Sequence, residues 1–134
     1  MKYWIIKTDP DTYSWTDLIK DKSTIWDGVR NYQARNNLRE MKTGDKLLFY
    51  HSGEDKEVYG TAKVIQESFQ DPTTDDKNWL AVKIEIVKAL KNPVSLKVIK
   101  SEKKLQEMAL IKNSRLSVLP LTKEEFDIII DLSK

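Results

Sequence analysis

The spacing of apolar residues in the first part of the chain predicts short strands and short helices in irregular order. Residues 3–8 alternate around Trp4 and Ile6 and predict an opening strand. Pro10 ends that strand because proline cannot continue a ladder of hydrogen bonds. Ser14, followed three residues later by Asp17, resembles a capping box and predicts a short helix. Residues 32–41 carry apolar side chains at i, i+4 and i+7 and predict a second helix.

The rest of the chain is predicted to be mainly β. Residues 25–31 contain a tryptophan and a glycine in a turn-rich setting, and we expect them to be irregular. Gly60 is expected to mark a bulge or a close approach, and Pro120 to close the last strand. Thr122 and Glu125 form a capping box that predicts a final helix. Strands are predicted at 47–50, 58–65, 80–87 and 115–119.

Strands interrupted irregularly by helices exclude a doubly wound parallel sheet, in which the two would alternate strictly. The pattern instead favours one α+β domain, residues 1–134, around a small and strongly curved sheet or barrel.

Composition removes many classes of chemistry. Apolar residues make up 40% of the chain and charged residues 33%, which is enough for one folded core. The absence of cysteine excludes disulfides and zinc–cysteine sites, and a single histidine, His51, excludes multi-histidine metal sites. His51 ends an apolar strand and is interpreted as a structural hydrogen-bonding residue. We therefore expect no enzyme activity, no cofactor and no metal.

No apolar run approaches the roughly 20 residues of a membrane span. The amino end is charged too early for a signal peptide. We expect a cytoplasmic protein that has no membrane partner.

Charge is segregated along the chain, although the net charge is only +2. Residues 53–76 hold seven acidic and two basic residues, whereas residues 77–115 hold ten basic and three acidic ones. Residues 30–52 add five basic against two acidic residues. Such segregation is compatible with a basic face that attracts a polyanion, and equally with lysines scattered for solubility.

Two of the four tryptophans lie where a loop meets a regular element. Trp26 and Trp79 have polar neighbours, whereas Trp4 fits a core position and Trp15 is not assigned to either environment. Aromatic surfaces with a few fixed hydrogen-bonding groups are what binding an unstacked nucleobase requires.

The second predicted helix carries a basic stripe. Arg35, Arg39 and Lys42 fall at i, i+4 and i+7, about 100° around the helix from its apolar face. A stripe in that position can line the rim of a groove and contact phosphates, or it can be an ordinary solvated face.

The run Trp26–Asn36, WDGVRNYQARN, closely resembles the EVE domain family of the PUA-like superfamily, which includes the thymocyte nuclear protein group and is related to the YTH readers. Further matches lie at 3–7, 41–45, 48–52, 93–94 and 115–118. The resemblance implies a PUA-like pseudo-barrel, a curved mixed sheet of five to six strands with helices around it. It also implies a non-enzymatic module whose aromatic pocket takes a modified, in particular methylated, nucleobase in DNA or RNA.

Carried over by position, the resemblance makes Trp26 one wall of an aromatic cage and Trp79 a candidate second wall. Base contacts are expected from Asn31, Thr8, Asp9 and Ser117. Phosphate contacts are expected from Lys7, Arg30, Arg35, Arg39, Lys42 and Arg115.

The chain departs from the family pattern in two places. Asp9 is one methylene shorter than the family's glutamate, and Leu119 stands where the family often has glutamine.

Two other function classes remain open on the sequence. The same pocket could serve a small-molecule binding protein or sensor that takes a free base or a similar ring. The domain could also be a protein-interaction adaptor, which would show an apolar surface patch.

Overall fold

Six strands form one mixed sheet in the computed structural model, which describes residues 1–134. The strands are β1 (Tyr3–Thr8), β2 (Ser23–Trp26), β3 (Lys46–His51), β4 (Glu57–Gln70), β5 (Leu80–Ser95) and β6 (Val118–Leu121). The helices are α1 (Trp15–Asp21), α2 (Tyr32–Glu40), α3 (Leu96–Ser101), α4 (Ala109–Lys112) and α5 (Lys123–Leu132), with a 3-10 turn at Lys103–Leu105. The sheet order is β2-β5-β4-β3-β1-β6; β1 and β3 are parallel, and all other neighbouring pairs are antiparallel. The predicted α+β class is confirmed.

Side chains fix where the helices begin. The Asp17 amide donates to the Ser14 hydroxyl at 3.0 Å, and the Ser14 amide donates to the Asp17 carboxylate at 2.9 Å. Thr122 and Glu125 make the same reciprocal pair before α5. Both predicted capping boxes are confirmed, because each satisfies amides that have no partner within the helix.

The core is one cluster of apolar side chains that includes three tryptophans, Trp4, Trp15 and Trp26. Trp4 is buried as predicted, and its indole N–H donates at 3.0 Å to Asp45, a buried carboxylate. Trp15, only 6% exposed, is also a core residue. Burial opposes ionisation of Asp45, but hydrogen bonds from the Lys2 and Lys42 amides and from Trp4 outweigh it and lower the pKa of Asp45.

Two sheet predictions were wrong. The stretch expected to be irregular, 25–31, begins with the last two residues of β2, where Trp26 pairs with Val82 of β5. The last strand begins at Val118 and contains Pro120, which was expected to close it. Proline is tolerated there because β6 is an edge strand, where a missing amide donor breaks no ladder. The long hairpin β4–β5 also runs beyond the predicted ends of both strands.

Gly60 marks the close approach that its position predicted. A Cβ atom at this residue would lie 2.3 Å from two ring atoms of Trp15 and 2.9 Å from the Lys88 carbonyl oxygen. We expect Gly60→Ala to lower the free energy of unfolding by about 1–3 kcal/mol, as overpacking does. Urea denaturation measures this, and the double variant with Trp15→Phe should recover part of the loss. Additive losses in the double variant would contradict the assigned contact.

Candidate nucleic-acid interface

The carboxyl end of β1 joins two segments that are distant in sequence. The Lys7 amide donates to the Ser117 carbonyl at 2.9 Å, and the Lys7 ammonium donates to the Ser114 carbonyl at 2.5 Å. Burial lowers the pKa of Lys7. The Thr8 hydroxyl is buried and donates to the Tyr13 carbonyl at 2.9 Å. The structure therefore places Lys7 against Ser117 and Thr8 against the turn at Tyr13; their contacts with a base or phosphate stay predictions.

Asp9 begins the turn that follows β1. One oxygen of its carboxylate accepts the Asp11 amide at 2.9 Å, and its carbonyl accepts the Thr12 amide at 2.9 Å. Asp9 is exposed, and the second oxygen of its carboxylate has no hydrogen-bond partner in the chain, so it can accept a hydrogen bond from a ligand.

Trp26 lies in an aromatic cluster beside this turn and is 8% exposed. The centroid of its ring lies 5.6 Å from that of Phe49 and 6.1 Å from that of Tyr13, and both rings are nearly perpendicular to the indole. The Tyr13 hydroxyl donates to Asp21 at 2.9 Å. Burial, reinforced by Asp21, raises the pKa of Tyr13 to about 12, so the phenol stays neutral. Tyr13 carried no sequence signal, because only the turn after β1 brings it to Trp26.

His51 is a structural residue, as predicted. Its Nε2 accepts the Trp15 amide at 2.9 Å, and its Nδ1 lies 3.3 Å from the Asp55 carboxylate. Accepting through Nε2 places the ring proton on Nδ1, toward Asp55. The ring thereby anchors the first residue of α1.

Asp71 organises the segment between β2 and α2 and is 0% exposed. Its carboxylate accepts hydrogen bonds from the Gly28 amide at 2.8 Å, from Arg30 at 2.9 Å, and from the Thr73 amide and hydroxyl at 2.7 and 2.6 Å. Burial alone would raise the pKa of Asp71, but these bonds, led by that from Arg30, hold it well below its usual range. Sequence reasoning assigned Asp71 to a polar loop, because its partners lie 41 and 43 residues away.

An arginine–aromatic stack lies on the surface beside this segment. The rings of Tyr32 and Trp79 are stacked at 4.8 Å with 28° between their planes. The Arg30 guanidinium lies 5.6 Å from the Trp79 ring, and the Arg35 guanidinium lies 5.2 Å from the Tyr32 ring. Arg35 also donates to the Asn78 carbonyl at 2.9 Å.

The two tryptophans that the sequence singled out pack against different rings. Trp79 contacts Tyr32, whereas the rings around Trp26 are Tyr13 and Phe49. The assignment of Trp79 as a second cage wall stays a prediction. Tyr32, 58% exposed, is a stacking surface that sequence reasoning missed.

The remaining predicted site residues differ in whether their side chains already have hydrogen-bond or ion-pair partners. Asn31 caps α2 by accepting the Ala34 amide at 3.0 Å, which leaves its amide nitrogen as a donor. Arg39 and Arg115 are exposed and have no carboxylate within 4 Å. Lys42 lies beyond the end of α2, and its ammonium is 3.9 Å from Glu67. The predicted three-residue stripe is therefore wrong, because the helix carries only Arg35 and Arg39.

Asp27 is a second carboxyl group at the interface that the sequence did not single out. Burial, reinforced by the charge of Asp71, raises the pKa of Asp27, and Arg30 offsets only part of this.

No group of three or more His, Cys, Asp or Glu side chains could hold a metal ion. None of the helices has both the length and the apolar character that crossing a membrane requires.

The comparison with known families decides the relationship. The pattern of the EVE domain matches residues 2–132. This chain belongs to the EVE domain family. Human thymocyte nuclear protein 1 is 33% identical to it over 166 aligned positions, which cover 98% of this chain and 74% of the human protein. The family expected from the tryptophan-containing run is thus confirmed.

Solved structures confirm the fold of this EVE domain. Human THYN1, in complex with DNA containing 5-methylcytosine, superposes with a TM-score of 0.93 at 32% identity, covering 100% of this chain and 98% of that chain. The YTH domain of Zygosaccharomyces rouxii MRB1, in complex with N6-methyladenosine RNA, gives a TM-score of 0.62 at 18% identity, covering 99% and 86%. Together the two likenesses confirm the predicted PUA-like fold. The second, at 18% identity, shows a shared fold alone.

Proposed function

We propose that this EVE domain is a non-enzymatic module that binds nucleic acid and accepts a methylated nucleobase beside Trp26. The observation that carries the proposal is that the turn after β1, held by Thr8, places Tyr13 against the Trp26 indole. The segment that directly follows Trp26 is held in turn by Asp71. A methyl group adds apolar surface to a base, so an aromatic site favours the methylated form. The complex of human THYN1 with DNA containing 5-methylcytosine supports the same ligand class.

The base lies against Trp26, beside the turn that carries Tyr13. Phe49 packs against the Trp26 indole on the core side, so the indole is already held in place when a base stacks on it. Stacking of this kind contributes about 1–3 kcal/mol per base. The free oxygen of Asp9 and the amide nitrogen of Asn31 are the groups available for the edge of the base. Thr8 stabilises the turn that carries Tyr13, because its hydroxyl donates to the Tyr13 carbonyl.

Exposed cations hold the phosphates on either side of the base. Arg39 and Arg115 have no internal partner and are the strongest candidates. Arg30 and Arg35 are engaged in the arginine–aromatic stack, and each offers a phosphate only its remaining donors. Lys7 is half-buried and bonded to a carbonyl, so it contributes least.

Arg39→Ala tests the phosphate contact. We expect affinity for methylated and unmethylated oligonucleotides to fall several-fold and equally, because a phosphate contact carries no base information. The slope of log affinity against log salt should decrease by about 1. Fluorescence anisotropy between about 50 and 200 mM salt measures both. Lys100→Ala, an exposed lysine of α3, is the control and should change neither. A change in base preference with an unchanged salt slope would contradict the assignment.

Free 5-methylcytosine separates this proposal from a small-molecule sensor. We expect the free base to bind much more weakly than an oligonucleotide that contains it, because the phosphate contacts are missing. Equal affinities, insensitive to salt, would instead favour the sensor.

A cytoplasmic location stays a prediction.

A further inference from the structure

A groove with an apolar floor lies between β4, β5 and α5. It encloses about 810 Å³, which is within the roughly 300–1,000 Å³ of ligand-binding sites. Ala62, Val87, Leu90, Phe126 and Ile130 supply apolar side chains to it. None of the residues predicted to contact base or phosphate lines it. The groove is thus a second surface, separate from the candidate nucleic-acid interface.

The floor presents apolar area that the fold leaves uncovered. Val87 is 56% exposed, whereas Val82 and Ile84 of the same strand are buried. Ala89, also in β5, is exposed beside it. Exposed apolar area gathered in a concave site and bordered by polar side chains is typical of an interaction surface.

The rim of the groove is cationic. Five lysines line it, and no acidic side chain does: Lys46, Lys63, Lys88, Lys91 and Lys134. Two have an ion-pair partner, Lys63 with Glu85 at 3.5 Å and Lys134 with Asp131 at 3.3 Å. The other three have no carboxylate within 4 Å. The rim therefore carries positive charge that a ligand can neutralise.

The floor favours a polypeptide over a nucleic acid. Bases bind by stacking on open aromatic faces. Phe126 is the only aromatic side chain lining the groove, and its ring already contacts Tyr3 at 5.1 Å and the Lys46 ammonium at 5.8 Å. The rest of the floor is aliphatic, which matches aliphatic side chains of a peptide.

We propose that the groove is the docking site for an acidic peptide segment of a partner protein. Its aliphatic side chains lie on the floor beside Val87 and Leu90, and its carboxylates pair with Lys88 and Lys91. Opposite charges would speed association and fix the register of the peptide, while the apolar contacts supply most of the affinity. The domain would then join a nucleic acid on one surface to a protein on the other.

Panning a random peptide library against the immobilised domain, without nucleic acid, tests the proposal. We expect enriched peptides to combine aspartate and glutamate with leucine, isoleucine or valine. Their affinity should fall at least tenfold in the double variant Lys88→Glu/Lys91→Glu, and also in Val87→Ser, which removes floor contact without adding charge. The matched control Lys100→Glu/Lys103→Glu changes two exposed lysines outside the groove and should leave the affinity unchanged. Circular dichroism checks that every variant is folded.

Several results would overturn the proposal. One is enrichment of basic or unbiased peptides, or of none; another is binding that is indifferent to the groove variants. A third is that Lys88→Glu/Lys91→Glu weakens oligonucleotide binding as much as Arg39→Ala does, which would make the groove part of the nucleic-acid surface. A fourth is a dimer in sedimentation experiments that the same double variant dissociates, which would make a second copy the occupant.

Discussion

Replacing Asp71 with alanine is expected to lower the free energy of unfolding by about 3 kcal/mol, measured by urea denaturation at neutral pH. Removing one partner of a buried ion pair costs roughly 3–5 kcal/mol. The low end applies because the Arg30 side chain is 40% exposed and can turn toward water. The Gly28 and Thr73 amides also lose a charged acceptor. A loss below about 1 kcal/mol, the range of a surface ion pair, would contradict the account.

The pH dependence of this effect has a definite sign. The folded state holds the pKa of Asp71 below that of the unfolded chain, which is about 3.9. Its contribution is therefore complete above that value and is lost as the pH falls through the acid range toward the lower folded pKa. The Asp71→Asn variant cannot ionise, so the stability gap between it and the wild type should narrow below about pH 4. A gap that stays constant down to acid pH would contradict a depressed pKa.

Replacing Trp26 with leucine is expected to remove the preference for a methylated base. Leucine fills part of the indole's volume but offers no flat aromatic face. If stacking is lost, affinity for the methylated oligonucleotide should fall tenfold to a hundredfold, since stacking supplies about 1–3 kcal/mol and 1.4 kcal/mol is a factor of ten. Affinity for the unmethylated oligonucleotide should fall less, so that the affinities for the two oligonucleotides become similar.

Trp15→Leu is the matched control for this experiment. Trp15 is as buried as Trp26 and also packs against Phe49, at 5.3 Å, but its ring lies against Gly60 rather than at the candidate interface. Both variants should lose stability, by less than the roughly 3–5 kcal/mol of truncation to alanine. Only Trp26→Leu should change the ratio of methylated to unmethylated affinity. Equal changes in that ratio would mean that Trp26 acts as a core residue alone.

Local signals made most of the fold predictable. Capping boxes at Ser14 and Thr122 set the starts of two helices, and alternation over 80–87 indicated a strand, because both depend on residues that are close in sequence. β2 was missed because four residues are too few to show a period, and its pairing with β5 is not local. Pro120 was placed outside its strand because the sequence does not reveal which strand lies at an edge.

The candidate site was only partly predictable, because its geometry depends on contacts across the sheet. Trp26 stood out by its setting between a loop and polar residues. Asp71 gave no signal, because a carboxylate in a polar loop and one that organises a distant segment look the same in sequence. The stack of Tyr32 on Trp79 joins residues that are 47 positions apart in the sequence, and only the packing of α2 against β5 brings them together.

The indole N–H resonances of the four tryptophans, followed by NMR as methylated and unmethylated oligonucleotides are added in turn, test the central claim most directly. Substitution of each tryptophan assigns its signal. The account predicts that the Trp26 signal shifts and saturates, and that it does so at lower concentration with the methylated oligonucleotide. The Trp4 signal, held by its hydrogen bond to Asp45, should stay in place. A Trp26 signal that does not move while the protein binds either oligonucleotide, or that responds identically to both, would contradict a methylated base beside Trp26.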